Sequence, residues 1–314
     1  YVFSEGCVEG LNEIWLDDLQ LSASVVQKLN AGEIVDVTDT KYNGRVKLQW
    51  FPGVYYSNPA DSTIGTISIC SAAPSWNNKM VYNGLAVLFA RYEWKAITTQ
   101  AEADANPFSG SIPQVQVCMM GRRIASLRSG SSGENYSYQG TGYVERYSTN
   151  PAEILLDYLR NPRYGKGLAN TDIDWDSFRV AAGKCDQTIA YSSSVNGPIL
   201  TLNYVLDTGA TLFSNVKTLL QNFRAYMPYI QGKYKLKIED AGNPTDILSG
   251  AATIAHTFTK DNIVGDITYT AIDKNSKYNY VSINWVDPDQ KWSVQQVVYP
   301  TDESVRQTYI NYDG

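Results

Sequence analysis

Histidine is almost absent from the sequence, since His256 is the only one among 314 residues. A Ser-His-Asp triad or a Cys-His pair would have to use this residue. Its neighbours, Ala255 and the run Thr257-Phe258-Thr259, are typical of a strand edge and contain no nucleophile motif. We therefore predict that His256 is not catalytic and that the protein is not an enzyme.

Cysteine is also scarce, and its four residues stand far apart, with no Cys-x-x-Cys pair and no repeated spacing: Cys7, Cys70, Cys118 and Cys185. A disulfide scaffold would be denser, and a structural zinc site would need closely spaced pairs or histidines. We expect four reduced, mostly buried thiols in a protein made in the cytoplasm, with no metal and no cofactor.

Long apolar runs and an excess of basic charge are missing as well. No run approaches the roughly 20 residues of a membrane-spanning helix, and the first residues lack the pattern of a signal peptide. The formal net charge is -6, which argues against a nucleic-acid binder because phosphate contacts need a basic face. The start at Tyr1 and the end at Gly314 carry no structural signal, so we expect both to be cuts through a longer protein.

Tyrosine, in contrast, is plentiful, with 23 residues. Tyrosine favours strands and suits surfaces that are half apolar and half wet. The composition therefore predicts a β-rich protein with large interfaces. The fold class that we predict is mixed and mainly β, with a central α+β module.

Residues 1–147 are predicted to form β-structure with surface loops. Short alternating runs such as Val46, Leu48 and Trp50 are separated by the turn pairs Asn43-Gly44 and Pro52-Gly53. Further residues of such runs are Ile14, Leu16, Val54, Tyr56, Val115, Val117 and Met119. The segment 126–141 is rich in Gly and Ser, which predicts a surface loop.

Residues 148–245 are predicted to form the α+β module, because the apolar period changes from two to three and four. Asn150 is the expected cap of a first helix, with Pro151 at its first position and Glu153 reaching back from the third. Asp174 is the expected cap of a second helix. A third helix carries Leu212, Val216, Leu219, Leu220 and Phe223, and a hairpin turns at Gln231-Gly232.

Residues 246–314 return to the period of a strand, with Val281, Ile283 and Trp285 on one face. Asp287-Pro288-Asp289-Gln290 is a predicted turn, with proline where a type I turn prefers it, and the return strand starts near Trp292. We expect a second β domain here, incomplete at its C-terminus.

Two fragments resemble ligand motifs but fail at their defining positions. The acidic run from Asp172 to Asp176 has Ser177 and Gly183 where a calcium loop needs glycine and glutamate, so we interpret it as a helix cap among solvated acids. Gly165-Lys166-Gly167 follows a helix instead of a strand and lacks the spacing of a phosphate loop. We interpret it as a connection.

The segment from Leu155 to Gly167, which contains Asn-Pro-Arg-Tyr-Gly-Lys-Gly, closely resembles the tail tip (protein J) family, the central tail hub proteins of lambda-like siphophages. Other similar stretches follow in the same order. They are Ser4-Glu5-Gly6, Glu9-Gly10, Tyr82-Asn83 with Gly84-Leu85-Ala86, Gly121-Arg122, Cys185-Asp186-Gln187, Met227-Pro228 with Gly232, and Asn279 to Pro288 with Trp292.

The resemblance implies a homotrimeric hub in the virion, at the tail tip, assembled in the cytoplasm of the bacterial host. It implies two tube-type β domains in each chain, which let three chains continue the six-fold tail tube. The implied partners are distal tail and tail tube proteins, the tape measure protein, and tail fibre or receptor-binding modules for host attachment. Phage DNA would pass without specific binding during ejection, and no membrane span is implied.

Two other interpretations stay open from the sequence. Trp and Tyr platforms would also suit a glycan-binding or glycan-hydrolysing module, and the paired carboxylates of a glycosidase are not visible in a sequence. The hub of a gene-transfer agent or of a contractile injection particle would have the same pattern.

The residues that we expect to matter are structural. We predict that Asn161, Pro162, Tyr164, Gly165 and Gly167 form a turn that locks the α+β module against its neighbour, with Tyr164 as an anchor worth about 3 kcal/mol if its ring is in a core. The second structural motif is Trp285, Asp287 and Pro288. A channel for DNA should have a neutral or acidic wall, so Lys233, Lys235 and Lys237 are expected to lie elsewhere.

Overall fold

The computed structural model describes residues 1–53, 68–70, 82, 84–108, 111–127, 145–190, 194–239, 257–270, 278, 280–287, 290 and 292–307. The packing of the chain divides it into unit 1, Tyr1–Asn243, and unit 2, Pro244–Gly314. Strands outnumber helices in these ranges, which confirms a mixed, mainly β class. The three domains 1–147, 148–245 and 246–314, and the two tube-type domains among them, stay predictions.

The first core of unit 1, the β core, lies between two antiparallel sheets. One sheet has the strand order β1 (Val2–Glu5), β6 (Leu85–Tyr92), β5 (Val46–Pro52), β4 (Val35–Asp36), and the other the order β3 (Leu19–Gln20), β2 (Val8–Leu16), β7 (Val115–Arg122). Ile14, Leu16, Val46, Leu48 and Trp50 are all buried in this core. The alternation of two residues per repeat therefore predicts both the strands and their inward face.

Two helices that the sequence pattern did not predict, α1 (Ala23–Asn30) and α2 (Gln100–Asp104), lie among the strands of residues 1–147. Helix α1 buries only Val26 and Leu29, an apolar pair too short to show a helical period. Asn30, at its end, exchanges two hydrogen bonds of 2.8 Å with the backbone of Leu11, as a neighbouring strand would.

The second core of unit 1, the helical core, is formed by α3 (Pro151–Arg160), α4 (Trp175–Cys185) and α5 (Leu212–Asn222). These three helices confirm the predicted periodicity and the predicted cap at Asp174, whose carboxylate accepts from the backbone N–H of Ser177. Short strand pairs surround them: β8 (Ile124–Ala125) with β9 (Glu145–Arg146), β10 (Thr188–Ala190) with β11 (Asn196–Pro198), β12 (Ala225–Tyr226) with β15 (Lys237–Ile238), and β13 (Tyr229–Ile230) with β14 (Lys233–Tyr234).

The start of α3 differs from the prediction in one respect. Asn150 caps the helix and Pro151 opens it, but Glu153 does not reach back to the cap. Its fully buried carboxylate instead accepts from the backbone N–H of Leu127 at 2.7 Å and from the hydroxyl of Ser148. A buried carboxylate needs such donors. Here they come from residues that precede α3 in the sequence and not from the first turn of the helix.

Unit 2 contains an antiparallel hairpin of β16 (Val281–Asp287) and β17 (Ser293–Tyr299). Their register runs from Val281 opposite Tyr299 to Asp287 opposite Ser293, so the predicted face of Val281, Ile283 and Trp285 is confirmed. Several expected positions lie outside the described residues: Val54, Tyr56, Asn83, 128–141, His256, Asn279, Pro288 and Asp289.

None of the helices in the described ranges is long and apolar enough to cross a membrane. All four cysteines are free, but only Cys185 is fully buried. The expectation of mostly buried thiols was therefore wrong. Cys7 lies in the turn between β1 and β2, Cys118 lies on the half-exposed strand β7, and Cys70 ends a short 3-10 turn.

Candidate structural junction

The loop 161–167 that follows α3 is organised by one side chain, Asn161. Its side-chain oxygen accepts from the backbone N–H groups of Arg163 at 2.9 Å and Tyr164 at 3.3 Å. Its backbone oxygen accepts from Gly165 at 3.2 Å and from Gly167 at 3.1 Å. A helix leaves its last carbonyls without intrahelical partners, and this loop turns back to satisfy those of α3.

Two of the glycines have geometric roles. A Cβ atom at position 165 would stand 1.7 Å from the backbone oxygen of Tyr158, so no side chain fits there. Gly167 has a φ of 69°, in the left-handed region that side chains with a Cβ rarely adopt. Pro162 packs close to Gly167, since a Cβ there would lie 3.3 Å from its Cα.

Tyr164 points from the loop toward α3, and its hydroxyl donates a hydrogen bond to the carboxylate of Asp157. Burial raises the pKa of Tyr164 above its ordinary value, and the neighbouring Asp157 adds to this rise. Burial also raises the pKa of Asp157, while the bond from Tyr164 opposes the increase. The pair is therefore a desolvated polar contact at the edge of the helical core.

Arg122, at the end of β7, connects this loop to the β core. Its guanidinium lies 4.9 Å from the ring centroid of Tyr164, in a cation–π contact. It also covers Gly6, which has a φ of 91° and where a Cβ would stand 2.7 Å from the guanidinium nitrogen Nη1. Beside it, the guanidinium of Arg163 pairs with the carboxylate of Glu5 at 2.6 Å. We call the set Glu5, Gly6, Arg122, Asp157, Arg163 and Tyr164 the junction.

Backbone contacts bring a further segment to the same place. The N–H of Gly6 donates to the carbonyl of Gly84 at 2.7 Å, and a Cβ on Gly53 would stand 2.6 Å from the carbonyl oxygen of Gly6. Stretches that are far apart in the sequence, around residues 5, 84, 122 and 164, therefore meet at one point of unit 1. Sequence reasoning identified these stretches separately and did not place them together.

A groove of about 360 Å³ lies beside the junction, lined by Glu5, Tyr158, Arg163, Tyr164, Leu212 and Asn215 among others. Asn215 is 4% exposed, and its amide donates to the hydroxyl of Tyr158 at 3.1 Å and to the carbonyl of Asp207 at 2.8 Å. Sequence reasoning missed Asn215. The signal that could have found it is a polar residue one position before Val216 on the buried face of α5.

The two fragments that resemble ligand motifs, Gly165-Lys166-Gly167 and the acidic run from Asp172 to Asp176, make contacts within the protein. The ammonium of Lys166 bonds to the hydroxyl of Tyr234 at 2.7 Å and lies 4.6 Å from its ring centroid, so it faces the hairpin. Asp174 caps α4 and pairs with Lys235 at 3.3 Å. The described residues contain no cluster of three or more potential metal ligands. Burial raises the pKa of the Cys185 thiol to about 12, which keeps it protonated.

The second predicted motif lies in unit 2. Trp285 and Asp287 are both on β16, on the same face by register, and Pro288 lies outside the described residues. Trp285 is 45% exposed. The structural roles of both motifs stay predictions.

No known family profile matches the sequence. It is 23% identical over 205 residues to the baseplate hub protein pb3 of Escherichia phage T5, covering 60% of this chain and 20% of that protein. It is 22% identical over 216 residues to the tip attachment protein J of Escherichia phage SECphi27, covering 66% of this chain and 17% of that protein. The chain thus spans about a fifth of the length of these two relatives.

Proposed function

We propose that this chain is a structural part of a phage tail tip, within the central hub of the tail, and that it has no catalytic role. The observation that carries the proposal is its similarity, over about 200 residues, to one protein named a baseplate hub and another named a tip attachment protein. The same similarity supports a location in the virion tail, and we propose the tail tip as the site.

The geometry of the junction supports a structural role. Its members connect the β core to the helical core through an ion pair, a cation–π contact and a desolvated hydrogen bond. Such contacts fix the relative orientation of two cores within one unit. A hub needs this property, because it must hold its partners in a fixed symmetry while the tail is under load.

In its finer form, the proposal is a homotrimer of the lambda-like type, with two tube-type β domains in each chain. The trimer closes the distal end of the tail tube and contacts distal tail proteins, the tape measure protein and the fibre or receptor-binding modules. DNA passes through it during ejection without specific binding. The wall of the passage is neutral or acidic, and Lys233, Lys235 and Lys237 lie away from it.

Deletion of the gene, with complementation from a plasmid, tests the proposal. Without the protein, we expect tails that are absent or lack their tip, and an epitope tag on the complementing copy should label only the tail tip in electron micrographs. Infective particles with normal tails in the deletion, or a label on the head or along the tube, would contradict the proposal. The non-catalytic role would be contradicted if the purified chain hydrolysed peptidoglycan or polysaccharide and if substitution of a single Asp or Glu abolished that hydrolysis.

A further inference from the structure

The groove beside the junction lies within unit 1, and three described segments line it. They are the loop 161–167 after α3, the segment 208–212 at the start of α5, and the end of β1 at Glu5. Its volume of about 360 Å³ is near the lower end of the roughly 300–1,000 Å³ that is typical of small-molecule sites. The groove therefore has room for a small ligand.

Asn215 presents an unused acceptor to this groove. Its amide nitrogen donates to the hydroxyl of Tyr158 at 3.1 Å and to the carbonyl of Asp207 at 2.8 Å. The carbonyl oxygen of Asp207 can only accept, which identifies the bonded end of the amide as its nitrogen. The amide oxygen Oδ1 has no donor within the described part of the chain, although only 4% of the residue is exposed. This oxygen remains accessible to solvent, and Asn215 lines the groove, so Oδ1 faces it.

Tyr158 adds a donor beside this acceptor. It is 3% exposed, and its hydroxyl oxygen accepts from the amide of Asn215. Among the described residues, no acceptor takes the proton of that hydroxyl. Buried polar groups in folded proteins nearly always have partners. The inner end of the groove therefore indicates a ligand that both donates and accepts hydrogen bonds.

The two charged residues in the described lining neutralise each other. The carboxylate of Glu5 and the guanidinium of Arg163 form an ion pair at 2.6 Å. This contact uses one carboxylate oxygen and one guanidinium nitrogen, so both groups keep positions for further hydrogen bonds. Thr208 adds an exposed hydroxyl. The described lining is thus neutral as a whole and offers both donors and acceptors.

A neutral saccharide matches this lining better than other classes of ligand. A hydroxyl group both donates and accepts, so one sugar hydroxyl can bond to Oδ1 of Asn215 and to the hydroxyl of Tyr158 together. An apolar ligand would leave both groups buried without partners. A charged ligand would find no net opposite charge, and a peptide strand would need an open row of backbone groups, whereas side chains of α3 and α5 form the inner end here.

We propose that this groove binds a neutral saccharide. Asn215 and Tyr158 contact one hydroxyl group at the inner end, and Glu5 and Arg163 contact further hydroxyl groups nearer to solvent. Glu5 is the only carboxylate in the described lining, whereas a glycosidase uses a pair, so we assign binding to this groove and not hydrolysis. The site goes beyond the proposed hub function and does not rest on it, and the deletion experiment reports on the hub separately.

Saturation-transfer NMR on the full chain tests the site with glucose, galactose, mannose, N-acetylglucosamine, maltose and lactose. Co-sedimentation with starch, cellulose and chitin tests whether the same chemistry is recognised in an insoluble polymer and not in a free sugar. Acetate and methylammonium are the charged controls. We expect binding of a saccharide in at least one arm. No binding in either arm, or saturation transfer to the charged controls alone, would overturn the proposal.

Two variants assign the binding to the groove. Thr208→Trp should fill the groove and weaken binding at least tenfold, and Tyr158→Phe should weaken it about tenfold because a proton donor is lost. Thr201→Trp is the matched control, since Thr201 is also an exposed threonine before α5 and does not line the groove. Circular dichroism verifies that each variant is folded. Binding that survives Thr208→Trp, or that falls equally in Thr201→Trp, would overturn the site.

Discussion

Strands β5 and β16 have similar sequences and opposite environments. Both have seven residues, Val-Lys-Leu-Gln-Trp-Phe-Pro in β5 and Val-Ser-Ile-Asn-Trp-Val-Asp in β16, with valine, a larger aliphatic residue and tryptophan at the same alternate positions. Trp50 is 1% exposed, whereas Trp285 is 45% exposed. β5 has a neighbouring strand on each side and α1 against it, while β16 pairs only with β17 in the described part of the chain.

This difference shows what a period of two determines. The alternation specifies a strand and assigns its side chains to two faces, and it does so equally well in both units. It doesn't specify the element that covers the apolar face. In unit 1 that element is provided by neighbouring strands and by α1 of the same unit.

The largest contrast is expected between two tryptophan substitutions. Trp50→Ala should lower the free energy of unfolding of unit 1 by about 3–5 kcal/mol, because it leaves a cavity in the β core. Trp285→Ala should change the stability of the monomeric chain by less than about 1 kcal/mol, because no core is lost. Urea denaturation at a concentration where the chain is monomeric measures both. Equal losses would mean that the cover of β16 comes from its own chain.

A glycine pair in unit 1 tests the junction loop. Gly165→Ala should cost about 3 kcal/mol or more, since its Cβ cannot lie 1.7 Å from the carbonyl oxygen of Tyr158 without a shift of the backbone. Gly121→Ala is the control, because the nearest atom to its Cβ would be a ring carbon of Tyr147 at 3.8 Å. Thermal unfolding of the two variants should differ clearly. A normal melting temperature for Gly165→Ala would show that the loop tolerates another path.

Tyr164 tests the connection between the two cores. Tyr164→Phe should cost about 1–2 kcal/mol, because it retains the ring under Arg122 and removes the donor to the half-buried carboxylate of Asp157. Tyr164→Ala should cost more, about 3 kcal/mol, because the ring is also lost. Denaturant midpoints of the two variants separate these effects. An unchanged midpoint for both would place the ring in solvent and contradict the anchor role.

The smallest effect is a dependence on pH. Burial raises the pKa of Asp157 above its usual 3.8, so the folded state keeps this proton to a higher pH than the unfolded state. The resulting stabilisation is present below about pH 3.8 and is lost as the pH rises through the folded pKa. Asp157→Asn should lack this loss. Denaturant midpoints between pH 3.5 and 7 provide the comparison, and a wild-type stability that rises relative to the variant would contradict the direction.

Helices α3, α4 and α5 of unit 1 could be predicted from the sequence because their information is local. The cap at Asp174 and the stripe from Leu212 to Phe223 lie within one element, and the turn 161–167 combines a proline with two glycines. Helix α1 was missed because one apolar pair has no period. The role of Glu153 was predicted wrongly, and Asn215 was not predicted at all. In both cases the hydrogen-bond partners lie outside the helix that carries the residue.

The junction was not predictable for the same reason. Arg122 donates to the carbonyl of Glu5, which lies 117 residues away in the sequence. Its contact with Tyr164 connects the β core to the loop that follows α3. The resemblance to the tail tip family singles out such residues, but it does not predict that they are in contact. The exposed face of β16 shows a second limit of prediction from sequence. Its alternation predicts an apolar face but does not identify the element that covers this face.

A reconstruction of the purified tail tip by electron cryomicroscopy tests the proposed hub most directly. We expect three copies of this chain around the tail axis. One copy without axial symmetry would contradict this arrangement.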